Sequence, residues 1–351
     1  MQAMRARFAQ SLTRRAALSC RAEPSCAPEY ASDPRALANA SRDVRCDVLY
    51  VCGGLYGNAA ALATILRAAE REAEAVAKTG GTLALCFNGD FNFFNATPAS
   101  WNAMNARIRA GVANAATVAT AGNVELETLR GEGGCGCAYP DYVEDAFAGR
   151  AAAIVDGLRD AARDADADDD VLPWLGGLPT SATFDVGGCR VAAVHGDPTC
   201  VNGWALAADH VDGARPGHAT AAADVRAWFD AAEADVFATA HTCLPFLQFF
   251  GDGLVANNGA AGLASFEGDG AGLVTRVAVP GAPPSALGPR LYGTTLGGGA
   301  TVDAVPVRFD AAAFLRWFDH AWPPGSAAAV SYRQRAETGV AGWTPGLANR
   351  T

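Results

Sequence analysis

The stretch at 47–66, D-V-L-Y-V-C-G-G-L-Y-G-N-A-A-A-L-A-T-I-L, begins as an apolar strand, breaks at Gly53-Gly54 and restarts at Gly57-Asn58 as an Ala/Leu-rich helix. A strand that turns through glycines into a helix presents free backbone N–H groups, which favours an anion at the turn. Turns of this build usually carry acids or histidines, yet this one carries Gly54, Leu55 and Tyr56. The same strand–turn–helix pattern repeats further along. Apolar runs of strand length lie at 47–52, 82–87, 117–121, 182–186, 190–194 and 235–240, then at 246–250, 254–256 and 273–279. Helical patterns are expected at 58–78, 100–115, 142–163, 219–232, 311–320 and 327–337. The first places Leu62, Ile65, Leu66 and Ala69 on one face and Arg67, Glu70, Arg71 and Glu74 on the other. Alternation first and hairpins later predict an α/β fold with mixed sheets and helices outside.

The chain has 351 residues, half of them apolar, and a formal charge of −10. That is enough to bury one large core or two ordinary ones. The acidity leaves no broad basic face, so no nucleic-acid partner is expected. No apolar run reaches the roughly 18 residues needed to span a bilayer. Ten scattered cysteines include one close pair, Cys135-Gly-Cys137, and no C-x-x-C, so reduced, partly buried thiols are expected. The first 21 residues hold five arginines and no acid, which reads equally as an organelle transit peptide or a basic tail; an intracellular location, cytoplasmic or organellar, is expected. The acidic run at 164–170 reads as a solvated loop. The segments expected are a tail at 1–44, a principal domain at 45–280 and an extension at 281–351 that packs on it.

Chemistry-capable residues cluster at predicted strand ends, where open α/β sheets build their sites. Asp90 lies in N-G-D, Asn123 in G-N-V-E, His195 in V-H-G-D-P and His241 in A-H-T-C. One carboxylate, one amide oxygen and two imidazoles make a donor set for a first-row metal ion.

These segments, in this order, resemble the calcineurin-like metallophosphoesterases, which carry D-x-H, G-D, G-N-H-E, a strand-end His and G-H-x-H. N-N-G-A-A-G at 257–262 resembles the N-P-G-S-x-G that follows, and the resemblance covers about 46–279. It implies a metallophosphoesterase-type sandwich of two mixed β-sheets flanked by helices. It also implies hydrolysis of a small phosphorylated compound, phosphomonoester or phosphodiester, by a metal-dependent enzyme. The residues matching one metal's shell, Asp90, Asn123, His195 and His241, are all present. The other metal's ligands are replaced by Gly54, Tyr56 and Cys243. The opening turn therefore looks like a metal half-site that has lost its usual ligands.

One bound ion is expected, manganese, iron or zinc. The alternative is a second, softer ion held by Tyr56, Cys243 and bridging Asp90; a third reading is a non-catalytic metal-binding or thiol-sensing relative. Asp90 and His195 are the expected catalytic pair. Val124 replaces the family's general acid, leaving Asp197 and Glu125 as candidates for its role. Asn58 and Asn92 are the amides expected at the substrate. G-G-C-G-C-A-Y-P-D at 133–141 and the aromatic-rich segment at 317–326 are further candidates to line or cover the pocket, and the latter could also serve a homo-oligomer.

Overall fold

The computed structural model describes residues 26–39, 44–131, 133–165 and 170–351. The arginine-rich start and most of the acidic run lie outside the described residues. The strands are β1 Val44–Cys46, β2 Val48–Cys52, β3 Leu83–Asn88, β4 Ala115–Thr120, β5 Ser181–Val186, β6 Cys189–Val194, β7 Val236–Thr239, β8 Phe246–Phe250, β9 Gly253–Asn257, β10 Gly272–Ala278, β11 Tyr292–Thr295, β12 Thr301–Val307 and β13 Asn349–Arg350. They form two mixed sheets, ordered β1-β5-β6-β7-β9-β8-β13 and β11-β12-β10-β2-β3-β4.

β2 shows why the sheets stack. All five of its residues are buried, which is why it reads as a continuous apolar run rather than an alternating one. Successive side chains point to opposite faces. Leu49 and Val51 enter the layer between the sheets with Val191, Ala193, Val236 and Ala238. Val48, Tyr50 and Cys52 face the other way and pack with Leu62, Ile65 and Val76 of the helix Ala59–Ala77. The fold is therefore a sandwich of two mixed sheets with helices outside, as the resemblance implies.

Residues after 280 join both sheets. β12 pairs antiparallel with β10 over its full length, β11 pairs with β12, and β13 lies beside β8. The strands at 292–295 and 301–307 are not among those expected; their Gly and Ala content, with Pro306 inside one of them, hides the period. The helix expected at 100–115 is Pro98–Ala110, because Gly111 at φ 62° caps it. The helix expected to start at 142 starts at Asp145.

The thiol expectation needs correction. Cys26 and Cys200 form a disulfide across a sequence separation of 174 residues, and Cys135 and Cys137 form a second pair. Cys46, Cys52 and Cys86 are free and buried. The long disulfide ties the Cys26–Tyr30 region to the loop after β6, where Val201 N–H donates to the Tyr30 carbonyl. Reducing it should lower the unfolding free energy by about 2–4 kcal/mol. Denaturant titration with and without reductant, against a Cys26→Ser variant that already lacks the bond, measures this.

Candidate metal centre

Asp90 follows β3 through Gly89, and both residues have positive φ, 59° and 76°. The turn is tight because three side chains converge on it. A Cβ at Gly122 would stand 2.6 Å from Asp90 Oδ1 and 2.9 Å from His195 Nε2, so only glycine leaves that approach open. Glu125 holds the turn from behind: its carboxylate accepts the backbone N–H groups of Asp90, Phe91 and Gly122. Burial, followed by the neighbouring Asp90 charge, pushes Glu125 up to about 7.

His195 follows β6, and His241 lies just beyond β7. Ligand atoms of Asp90, His195 and His241 lie within 4.8 Å of one another, and all three residues are buried. Hydrogen bonds settle each ring's tautomer. His195 Nδ1 is 2.8 Å from the Asn88 carbonyl, which can only accept, so Nδ1 carries the proton and Nε2 is a bare lone pair. That lone pair sits 3.2 Å from Asp90 Oδ1. His241 Nε2 donates to the Cys137 carbonyl at 3.1 Å, and its Nδ1 has no partner. Asn123 donates through Nδ2 to the Cys135 carbonyl, and its buried Oδ1 also has no partner.

The Asp90 carboxylate, which accepts from Val124 N–H at 3.3 Å, has ligand atoms of His195 and His241 within 4.8 Å, and Asn123, whose Oδ1 has no partner, lines the same cavity. Buried acceptors facing one another are costly unless a cation stands among them. A single proton between Asp90 and His195 would leave His241 Nδ1 and Asn123 Oδ1 unanswered, whereas a first-row metal ion can take donors of these types together. The residues therefore fit a bound first-row metal ion. Burial and then His195 lower His241 to about 4, keeping it neutral. Burial would raise Asp90, but the adjacent His195 outweighs it and the carboxyl is lowered, while Asp90 in turn raises His195 against its own burial.

The altered half-site is built differently. Tyr56 Oη and Cys243 Sγ share a hydrogen bond of 2.7 Å. Burial is the first cause that pushes both above their ordinary values, so phenol and thiol stay protonated. Arg335, from the helix Ala327–Thr338, donates through Nη2 to the Cys243 carbonyl at 2.7 Å.

Three of the expected site residues have side chains engaged by hydrogen bonds within the fold. Asp197 is a buried turn former: Oδ1 accepts from Thr199 N–H, Thr199 Oγ1 and Cys200 N–H, and Oδ2 accepts from Ala205 N–H. It does not line the cavity into which Asp90 opens. Asn58 caps the helix Ala59–Ala77, accepting from Ala60 and Ala61 N–H and donating to the Gly262 carbonyl. Asn92 bonds Asn105 and Asn95 and is likewise buried. Backbone groups engage Asp197 and Asn58, and neighbouring asparagine side chains engage Asn92.

The cavity has a volume of about 270 Å³ and is lined by Asp90, Asn123, His241, Tyr56, Cys243 and Arg335 together with a largely aromatic wall. Cys137 and Tyr139, from the flagged 133–141 loop, and Phe93, beside Asp90, belong to that wall. Trp204, Phe147, Tyr332 and Arg335 carry no motif, and sequence reasoning missed them. From the aromatic 317–326 segment, Trp322 donates to the Phe94 carbonyl and Phe318 packs on the Phe94 ring, so it backs the cavity without lining it.

No family model and no curated protein matches the chain. Solved structures do match its fold. The hypothetical protein PH1004 from Pyrococcus horikoshii OT3 aligns with a TM-score of 0.53 and 13% identity over 84% of this chain and 98% of that one. A metallophosphoesterase from Sphaerobacter thermophilus aligns at 0.47 and 15% identity over 84% and 100%. An archaeal phosphodiesterase aligns at 0.29 and 10% identity over 65% and 92%. At this level of identity the likeness to PH1004 is one of fold.

Proposed function

We propose that this chain is a metal-dependent hydrolase of a small phosphorylated compound, acting through one metal ion. The observation that carries the reading is the set of unpaired buried acceptors on His195, His241 and Asn123 beside the Asp90 carboxylate. These four residues would hold the ion, which supplies Lewis acidity toward a phosphoryl oxygen and lowers the pKa of water. Asn88 and Cys137 orient the two imidazoles through their carbonyls, and Glu125 fixes the Asp90 turn. The hydrophobic wall excludes bulk water and strengthens each charge interaction inside. Tyr56 and Cys243, bonded to each other at 2.7 Å with a guanidinium alongside, make a poor second ion site, which supports a mononuclear centre.

A good leaving group suits this site, because Val124 offers no proton and Asp197 is spent on its turn. Manganese, iron and zinc all suit the donor set. The Cys26–Cys200 disulfide favours an oxidising compartment over the cytosol. Metal content per chain, measured by mass spectrometry on protein purified without chelator, tests the reading alongside turnover of aryl phosphate mono- and diesters. One equivalent, lost in His241→Ala together with turnover, is expected. Two equivalents would mean that Tyr56 and Cys243 rebuild a second site, and none would mean a non-catalytic relative.

A further inference from the structure

Arg335 is a cation without a counter-ion. Its Nη2 donates to the Cys243 carbonyl, its Nε is buried with no hydrogen-bond partner, and no carboxylate pairs with it among the described residues. A guanidinium is always charged and offers donors in a planar fork matched to phosphate. Arg335 lines the same cavity as Asp90, Asn123 and His241.

Much of the remaining wall is a run of aromatic rings in mutual contact, joined by Val124, Val143 and Leu263. Tyr139 meets Phe147 edge-on at 5.5 Å and Trp204 at 5.8 Å, and Phe147 meets Tyr332 at 5.6 Å. Such surfaces favour a flat apolar group by burial and by edge or face contact. A volume of about 270 Å³ suits a phosphoryl group with one ring system, and little more.

We propose that Arg335 anchors an anionic phosphoryl oxygen beside the altered half-site, and that the aromatic wall selects a phosphate ester whose organic part is a single planar ring. The class of substrate is thus an aryl or heteroaryl phosphate. This rests on the phosphoester reading above, while the Arg335 contact can be tested without turnover.

Calorimetric titration of the metal-loaded protein with phenylphosphonate and methylphosphonate, which cannot be hydrolysed at a P–O–C bond, separates the two parts. Phenylphosphonate should bind about tenfold tighter than methylphosphonate, as expected for burying a ring. Arg335→Gln should weaken both by about tenfold or more, because a charged hydrogen bond is lost. Arg335→Lys should weaken them less, and Phe147→Ala should erase only the preference for phenyl.

Unchanged affinity in Arg335→Gln with metal content intact would overturn the anchor. Equal binding of the two phosphonates, or of neither, would overturn the substrate class. Should Arg335→Gln lose its metal or its fold, Phe147→Ala decides, and an unaltered phenyl preference there overturns the proposal. Phenylphosphonate binding through Arg335 without hydrolysis of any aryl phosphate would instead sink the hydrolase reading alone.

Discussion

Asp90→Asn should leave the protein folded and without metal, with phosphoester turnover reduced by at least about 10³-fold, since the ion's charge stabilisation supplies several kcal/mol of the barrier reduction. The substitution is nearly isosteric. Asn tolerates the positive φ of 59° that the turn imposes, and its Oδ1 can still accept from Val124 N–H, 3.3 Å from the carboxylate oxygen it replaces. Only the charge is lost, and with it the anion among otherwise neutral ligands. Metal content and thermal midpoint on one sample check this. An unfolded variant would show that the carboxylate serves the fold, and a metal-replete one would remove Asp90 from the ligand set.

Glu72→Ala should cost the fold about 3–5 kcal/mol, the usual penalty for stripping one partner from a buried ion pair. Glu72 Oε1 accepts from Arg276 Nε and Nη2 at 2.9 and 2.7 Å, and Oε2 accepts from Tyr50 Oη and Ala286 N–H. Both charged side chains are almost fully buried. One carboxylate therefore joins the helix Ala59–Ala77 to β2, β10 and the 280–290 link. Without it the Arg276 guanidinium keeps only the Pro283 carbonyl and a 3.9 Å approach to Asp303. Urea titration gives the value directly, and a loss below 1 kcal/mol would mean that Asp303 or water compensates.

The strand ends that carry Asp90, Asn123, His195 and His241 were legible because each of these residues follows its strand by one to three residues, a spacing the chain cannot vary without moving the side chain. The tautomers were not legible, since they depend on carbonyls of Asn88 and Cys137 brought from other loops. Asn58 and Asn92 look like ligand-binding amides in a string of letters; only three dimensions show that a helix cap and a neighbouring asparagine occupy them. A disulfide between Cys26 and Cys200 cannot be paired from ten scattered cysteines. Arg335 belongs to no motif, and helix packing alone carries it to the cavity.

Assembly of the cavity follows the order of synthesis. A nascent chain that has emerged only as far as β10 already contains Asp90, Asn123, His195 and His241, yet lacks the helix Ala327–Thr338 with Tyr332 and Arg335. It also leaves β10 as an open edge where β12 would pair. The four residues proposed to hold the ion can thus come together on the ribosome before Tyr332 and Arg335 have been made, so the proposed anion contact waits until the helix Ala327–Thr338 has emerged.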